Sequence, residues 1–161
     1  VRGHWLPEKT LFLDNKIHHG RPGYQVLTPM QLSGSSSVVL VNRGWLPAPR
    51  LRSDVPSVSS ASGEREIAGV TRSFETRAFE LQETFPEGRI WQHVREDEYR
   101  RRSGLDALPV ILLQTGTDDD GLIRDWGSPD NPANRHYGYA AMWLVFALLA
   151  AAYGFLAWRK K

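Results

Sequence analysis

The feature that most constrains this chain is a long stretch without charge near its C-terminal end. Residues 139–158 contain no Asp, Glu, Lys or Arg. At about 1.5 Å per helical residue, this stretch matches the thickness of a bilayer's hydrocarbon core, roughly 30 Å. Tyr and Trp mark both ends, where an amphipathic ring suits the membrane–water interface. The stretch predicts a transmembrane helix; the alternative is a buried core helix, which rarely stays uncharged for so long.

The charges beside this stretch predict its orientation. Three basic residues at 159–161 follow it directly, whereas Arg124 and Arg135 are the basic residues within comparable reach on the other side. Positively charged flanks favour the cytoplasm, so we expect the large domain to lie outside it. Because the sequence opens on Val1 with no leading hydrophobic segment, we expect a first transmembrane helix to be missing from it.

The composition excludes several kinds of site. Acidic and basic residues are interspersed and the net charge is +2, so no basic face suggests nucleic acid binding. The absence of cysteine excludes disulfides, thiolate metal sites and cysteine nucleophiles. The sequence holds no G-x-S-x-G, H-E-x-x-H or phosphate-loop motif. We therefore expect a protein that is not an enzyme, with an anchored hydrolase as the lesser alternative.

Strand patterns dominate the residues before the uncharged stretch. Short runs rich in β-branched and aromatic residues alternate with turns that contain Gly, Pro and Ser. They predict strands over residues 10–14, 24–30, 38–43, 65–71, 90–94 and 110–115. One short helix is predicted over residues 96–102, ended by Ser103-Gly104. The fold class expected is mainly β, an antiparallel barrel or sandwich with one short helix, followed by the C-terminal transmembrane helix.

These patterns divide the chain into four parts. The expected division is a strand-rich extracytoplasmic domain over residues 1–117, a juxtamembrane linker over 118–138, the transmembrane helix over 139–158 and a cytoplasmic tail over 159–161. The linker is expected because its first part is rich in Asp, Gly, Ser, Pro and Asn.

Two neighbouring histidines, His18 and His19, precede a turn signal over residues 20–23. Neighbouring residues of a strand point to opposite faces, so these two would not readily bind one metal ion. We interpret both as turn residues. His93 falls in a predicted strand and is interpreted as a packed or half-exposed residue.

His136 is distinguished by its position, three residues before the uncharged stretch. At 100° per residue, small side chains share its helix face. They are Ala140, Ala147, Ala151 and Gly154. Such a face lets a partner helix approach closely. An imidazole beside that contact is a candidate axial ligand for haem iron, and an interfacial histidine in contact with water is the alternative.

The segment Arg43-Gly44-Trp45 closes a strong predicted strand. Gly44 permits an unusual backbone conformation there. Trp45 can either cover an edge of the core or bind a partner, and the sequence leaves both interpretations open.

Several motifs occur in order along nearly the whole chain. They are Leu13-Asp14-Asn15, Gly20-Arg21-Pro22-Gly23-Tyr24, Leu27-Thr28-Pro29, Leu40-Val41-Asn42-Arg43-Gly44-Trp45-Leu46-Pro47, Gly69 and His136-Tyr137-Gly138-Tyr139-Ala140-Ala141-Met142-Trp143. Together they resemble the surfeit locus protein family, called Shy in yeast.

This resemblance implies an assembly factor for haem-copper cytochrome c oxidase that aids delivery of haem a to oxidase subunit I. It implies two transmembrane helices around a domain in the bacterial periplasm, or a place in the mitochondrial inner membrane, beside other assembly factors. The family's histidine before the second helix corresponds to His136. We expect Trp143 to shape the haem site and Arg135 to pair with a haem propionate. A scaffold that binds oxidase subunits without haem is the alternative.

Overall fold

The computed structural model describes residues 1–49, 56–74, 88–126 and 132–159, and for residues 132–136, 154 and 157 it describes the backbone alone. The chain divides into two compact units, Val1–Asp125 and Trp126–Lys161. Parts of the predicted linker and tail, residues 127–131 and 160–161, lie outside the described residues.

Within the described residues, the first unit is built on one eight-stranded sheet. The strands are β1 (Arg2–Trp5), β2 (Leu11–His18), β3 (Arg21–Leu32), β4 (Val38–Pro47), β5 (Glu64–Glu66), β6 (Gly69–Ser73), β7 (Ile90–Trp91) and β8 (Ala107–Gln114). The helices are α1 (Glu96–Ser103) and α2 (Pro132–Arg159), and a 3-10 turn covers Pro7–Lys9. The prediction of a mainly β fold with one short helix before a long C-terminal helix is confirmed.

The sheet is curled. Its strand order is β5-β1-β3-β4-β8-β6, with β2 pairing with β3 and β7. The end strands β5 and β6 are separated in the chain by only Ile67 and Ala68, so the two ends of the sheet must come close together. Backbone bonds fix this closure: the Ile67 N–H donates to Val1 O over 2.8 Å, and the Thr115 N–H donates to Ala68 O over 3.0 Å. The sequence left a barrel and a sandwich as alternatives, and the structure shows a single curled sheet.

The pairing is mainly antiparallel, as predicted, with two exceptions among the described strands. β2 pairs with β7 and β4 pairs with β8 in the parallel sense. Both pairs join strands that are far apart in the chain, and long connections permit parallel pairing where a tight hairpin does not. Local sequence patterns predict where the strands lie, but which strands pair with each other depends on these long connections.

Other differences concern strand bounds. β1 was not predicted, because its sequence Arg-Gly-His-Trp shows no alternating apolar pattern. The strand predicted over residues 65–71 is two strands, since the chain crosses from one end of the sheet to the other at Ile67 and Ala68. The strand predicted over residues 90–94 is only the two-residue β7.

β4 lies at the centre of the core. Its first eight residues are all buried. Leu40 belongs to one apolar cluster, which includes Tyr99 of α1, while Val39 and Val41 belong to another that includes Met30 of β3. Both faces of β4 are therefore covered, which explains why this strand is a continuous apolar run and not an alternating one.

The helix predicted over residues 96–102 is α1. Acidic residues occupy its first turn and arginines its last, as the helix dipole favours. Gly104 ends it at φ 67°, and the Gly104 N–H donates to Arg100 O over 3.0 Å. Tyr99 is its buried residue, and burial raises the pKa of the Tyr99 hydroxyl.

The second unit contains α2, and every described side chain from Tyr137 to Arg159 is exposed. The helix predicted over residues 139–158 is therefore present. However, among the described residues there is no helix that is both long enough and apolar enough to cross a membrane. The predicted transmembrane span is not supported.

We expect Gly69→Ala to weaken the closure of the sheet. A Cβ at Gly69 would overlap the Leu113 carbonyl oxygen of β8 and lie 2.9 Å from Leu112 Cγ. Overpacking of this kind lowers the free energy of unfolding by about 1–3 kcal/mol. Chemical denaturation would measure the change. Gly116→Ala is the matched control, because a Cβ there meets open space; equal losses in both variants would contradict the prediction.

Candidate functional site

The candidate site begins with an irregularity in β4. Val26 of β3 pairs with Gly44 and the next β3 residue, Leu27, pairs with Asn42, so Arg43 is an extra residue without a partner in β3. Such a β-bulge redirects the side chain of the extra residue. Arg43 is nevertheless buried, with 4% of its surface exposed, so its guanidinium needs partners inside the protein.

Those partners form the Arg43 network, which we define as Arg43, Asp120 and Arg124. Arg43 Nη2 lies 3.1 Å from Asp120 Oδ2, and Arg124 Nη2 lies 2.5 Å from the same oxygen. The exposed fractions of the three side chains are 5%, 9% and 8%. The network thus joins β4 to the segment that follows β8, across 77 positions of the chain.

Arg43 also contacts two other parts of the sheet. Its Nη1 donates to Ser60 Oγ over 2.7 Å and its Nη2 donates to Ser59 O over 2.9 Å. Its guanidinium carbon lies 5.0 Å from the centroid of the Trp5 ring in β1, a cation–π distance. One side chain therefore holds together β1, β4, the segment before β5 and the segment after β8.

In the Arg43 network, two buried guanidinium groups interact with one buried carboxylate. Burial lowers the pKa of the Arg43 guanidinium, and the attraction of Asp120 opposes that shift. Arginine nevertheless stays protonated in proteins, so two cations share one carboxylate. The Nε atoms of Arg43 and Arg124 are buried without a hydrogen-bond partner. This arrangement suits the anchoring of a segment and not a proton transfer.

Gly44 allows that segment to approach β4. Its φ is 142°, and a Cβ there would lie 2.9 Å from both the Ile123 carbonyl oxygen and Leu122 Cβ. The Trp45 and Ile123 backbones exchange two hydrogen bonds, each 2.8 Å long. The expectation that Gly44 permits an unusual backbone conformation is confirmed, and the reason is this close backbone contact.

Trp45 covers an edge of the core. Its indole is 7% exposed, and Nε1 donates to Lys16 O over 2.7 Å. Its ring centroid lies 5.1 Å from that of His18. Of the two interpretations left open by the sequence, this geometry favours the first; a role of Trp45 in partner binding stays a prediction.

The two neighbouring histidines lie closer together than the sequence argument allowed. His18 ends β2, and the hairpin turn that follows has positive φ at His19, 46°, and at Gly20, 75°. The strand alternation therefore does not extend to His19, and the two imidazole centroids lie 4.3 Å apart. Asp125 joins them: its Oδ2 lies 3.7 Å from His19 Nε2, and one ligand atom from each of the three residues lies within 4.8 Å of the others.

The residues predicted to bind haem belong to α2. Arg135 and His136 fall within its first two turns, and their side chains lie outside the described atoms. Trp143 is 69% exposed, and its ring centroid lies 6.1 Å from that of Phe146. The predicted small-residue face is exposed at Ala140, Ala147 and Ala151, while Gly154 lies outside the described side chains. Haem and partner binding by these residues stay predictions.

Sequence reasoning missed the Arg43 network. A signal was present: Arg43 interrupts an apolar run, and an acidic triplet at residues 118–120 follows the last predicted strand. Nothing local connects the two, because their contact requires the parallel pairing of β4 with β8.

Comparison with known proteins identifies related sequences. Residues 1–148 match the model of a family described as the SURF1 family. No solved structure matches the chain significantly.

Curated relatives agree with this match. A SURF1-like protein from Monosiga brevicollis is 27% identical over 132 residues, which cover 81% of this chain and 50% of the relative. Surfeit locus protein 1 from Rattus norvegicus is 26% identical over 176 residues, covering 99% and 56%. Its counterpart from Xenopus tropicalis is 32% identical over 127 residues, covering 70% and 41%. The chain thus spans about half the length of these relatives.

We expect Asp120→Asn to destabilise the first unit strongly. The substitution removes the carboxylate and leaves two buried guanidinium groups without an ionic partner. Breaking a buried ion pair in this way costs about 3–5 kcal/mol of the free energy of unfolding. Urea denaturation followed by tryptophan fluorescence would measure it.

Asp119→Asn is the control, because it makes the same change of charge at the neighbouring, exposed position. We expect its effect to stay within about 0.5 kcal/mol. If the two variants unfolded alike, the Arg43 network would have no special part in stability.

Proposed function

The chain belongs to the SURF1 family, and on that basis we propose that it is an assembly factor for haem-copper cytochrome c oxidase. The observation that carries this proposal is the family match over residues 1–148. This range includes both the Arg43-Gly44-Trp45 segment and His136. The oxidase role is the one that the resemblance to the surfeit locus family implies.

The proposal includes a part in delivering haem a to oxidase subunit I. Haem a supplies an iron that an imidazole can ligate, and His136 is the proposed ligand. The described part of α2 fits a flat apolar group. Ala140 and Trp143 follow His136 by four and seven residues, a spacing that places all three on one helix face, and both are exposed.

Arg135 has a supporting role in this proposal. Haem carries propionate groups, and a guanidinium pairs well with a carboxylate. Arg135 directly precedes His136 in α2. The proposed assignment is that Arg135 binds a propionate, His136 holds the iron and Trp143 packs against the ring. All three bind and orient, so the proposed role is not enzymatic.

The exposed surface of α2 supports contact with membrane-embedded partners. Apolar side chains from Tyr137 to Trp158 are exposed at every described position. Exposed apolar surface of this extent marks a site of protein or membrane contact. Oxidase subunit I and other assembly factors are the proposed partners, and the face formed by Ala140, Ala147 and Ala151 would allow a helix to approach closely.

The same surface also favours the second candidate function. A scaffold that binds oxidase subunits without haem would use the apolar side chains of α2 equally well. The two candidates differ in what they require of His136, because only the haem-delivery role depends on its imidazole.

The proposed place of action is the membrane that contains the oxidase. This is the inner membrane of a bacterium, with the first unit in the periplasm, or the mitochondrial inner membrane in a eukaryote.

We expect His136→Ala to lower haem a binding more than it lowers stability. Alanine is the strongest helix former, so the substitution should preserve α2. The loss of an axial ligand should remove most of the specific contact with iron. The measurements are haem a per protein after purification from cells that make haem a, oxidase activity in those cells and the melting temperature.

Asn134→Ala is the control, since it changes the same part of α2 without removing an imidazole. If the protein delivers haem a, only His136→Ala should have a low haem content and low oxidase activity. The melting temperatures of both variants should stay close to that of the wild type. Equal haem content in wild type and His136→Ala would exclude this role of His136 and favour the scaffold.

A further inference from the structure

We propose that His18, His19 and Asp125 bind a divalent first-row transition metal ion, with Zn²⁺ as the representative case. This site belongs to the first unit, uses none of the residues proposed for haem, and does not depend on the proposed function. The observation that carries it is the convergence of three ligand atoms, one from each residue, within 4.8 Å of one another.

The hairpin turn brings the two imidazoles together. A regular strand would direct His18 and His19 to opposite faces. Because His19 has φ 46°, it belongs to the turn and its side chain returns to the side of His18. The two ring planes meet at 71°, so the rings are not stacked and their nitrogens can face a common point.

The Trp45 ring packs against the His18 ring. The ring centroids of the two residues lie 5.1 Å apart, and His18 is half-buried. Trp45 is itself fixed, because Nε1 donates to Lys16 O over 2.7 Å. A packed second residue of this kind orients a metal ligand before the ion arrives.

Asp125 is brought to the histidines by the segment that the Arg43 network anchors. The backbone of Ile123 is bonded to that of Trp45, and Arg124 is bound to Asp120 at 2.5 Å. Asp125 is the next residue, and its carboxylate lies 3.7 Å from His19 Nε2. The third ligand is thus positioned by contacts that are independent of the hairpin.

The distances suit a metal ion after a small adjustment. Bonds of about 2.0–2.1 Å to Zn²⁺ place neighbouring ligand atoms of a tetrahedral site roughly 3.3 Å apart. The His19–Asp125 pair at 3.7 Å is close to that separation. The remaining pairs, within 4.8 Å, need to close by about 1.5 Å at most. His19 and Asp125 have side chains that are 78% and 57% exposed, so rotation about their side-chain bonds is unobstructed by packing.

The ligand set defines the class of ion. Imidazole suits Zn²⁺, Cu²⁺, Ni²⁺ and Fe²⁺, and one carboxylate added to two imidazoles remains within that class. Three protein ligands leave at least one position of a four-coordinate ion for water or for a ligand from another molecule. The alternative is a surface ion pair between His19 and Asp125, which accounts for two of the three groups and gives no part to His18.

The experiment measures Zn²⁺ binding by the full chain without an affinity tag, purified in a mild detergent because of the exposed apolar surface of α2. Isothermal titration should give one Zn²⁺ per chain, and Co²⁺ should give a visible ligand-field spectrum that Zn²⁺ abolishes. Zn²⁺ should also raise the melting temperature, because an ion that binds the folded state stabilises it.

Three variants remove one ligand each: His18→Gln, His19→Asn and Asp125→Asn. His19→Asn is the sharpest, because Asn adopts positive φ readily and keeps the turn while the imidazole is lost. Each variant should weaken Zn²⁺ binding by at least about tenfold. His4→Gln is the matched control, since it removes an exposed histidine from β1 and should leave the affinity unchanged.

The proposal fails if the wild-type protein shows no saturable Zn²⁺ binding. It also fails if His19→Asn binds as tightly as His4→Gln while both remain folded by circular dichroism. The three-ligand site would also be wrong if His18→Gln bound Zn²⁺ fully while His19→Asn and Asp125→Asn did not. In that case the ion would contact only the His19–Asp125 pair.

Discussion

The contact between Arg43 and Asp120 is the interaction on which the first unit depends. A buried ion pair gains little net stability, because the loss of hydration offsets the attraction, but its members cannot be left unpaired. Arg43 is the extra residue of a bulge in the central strand β4, so the pair can form only when β3 and β4 have the observed register. We interpret the pair as a device that selects this register and fixes the segment after β8.

Three consecutive residues of β4 then have three distinct roles. Arg43 binds Asp120, Gly44 admits the backbone of Ile123, and Trp45 packs against His18. The first two roles and the backbone of Trp45 act on the same segment, because Ile123 exchanges two hydrogen bonds with Trp45. The bulge directs Arg43 into the buried network, and that network anchors the segment that places Asp125 beside the histidines of the hairpin.

What could be predicted from the sequence was local. The apolar run at the start of β4 and the acidic start, basic end and terminal glycine of α1 each predict their element without reference to the rest of the chain. The pairing of β4 with β8 and the contact between Arg43 and Asp120, 77 positions apart, depend on long connections that no local pattern specifies. β1 was missed for the related reason that its strand conformation comes from backbone pairing with its neighbours. At the candidate site, Gly44 was predicted correctly from its type, whereas Asp120 stood out only as part of an acidic triplet, with nothing local to pair it with Arg43.

His19 presents the opposite case, a residue whose type its backbone tolerates but which is not the most favourable type for this turn. A two-residue hairpin turn with positive φ at both positions favours Asn or Gly at the first, and a non-glycine residue held in this region costs on the order of 1 kcal/mol. Asn15 of β2 also has positive φ, 58°, and asparagine adopts this conformation readily. At His19 the side chain is 78% exposed, so packing does not explain why an imidazole stands there. Folding would be served as well or better by asparagine. Strain at a position where the fold gains nothing from the side chain is what we expect where the side chain is kept for its chemistry, and the chemistry within its reach is that of His18 and Asp125.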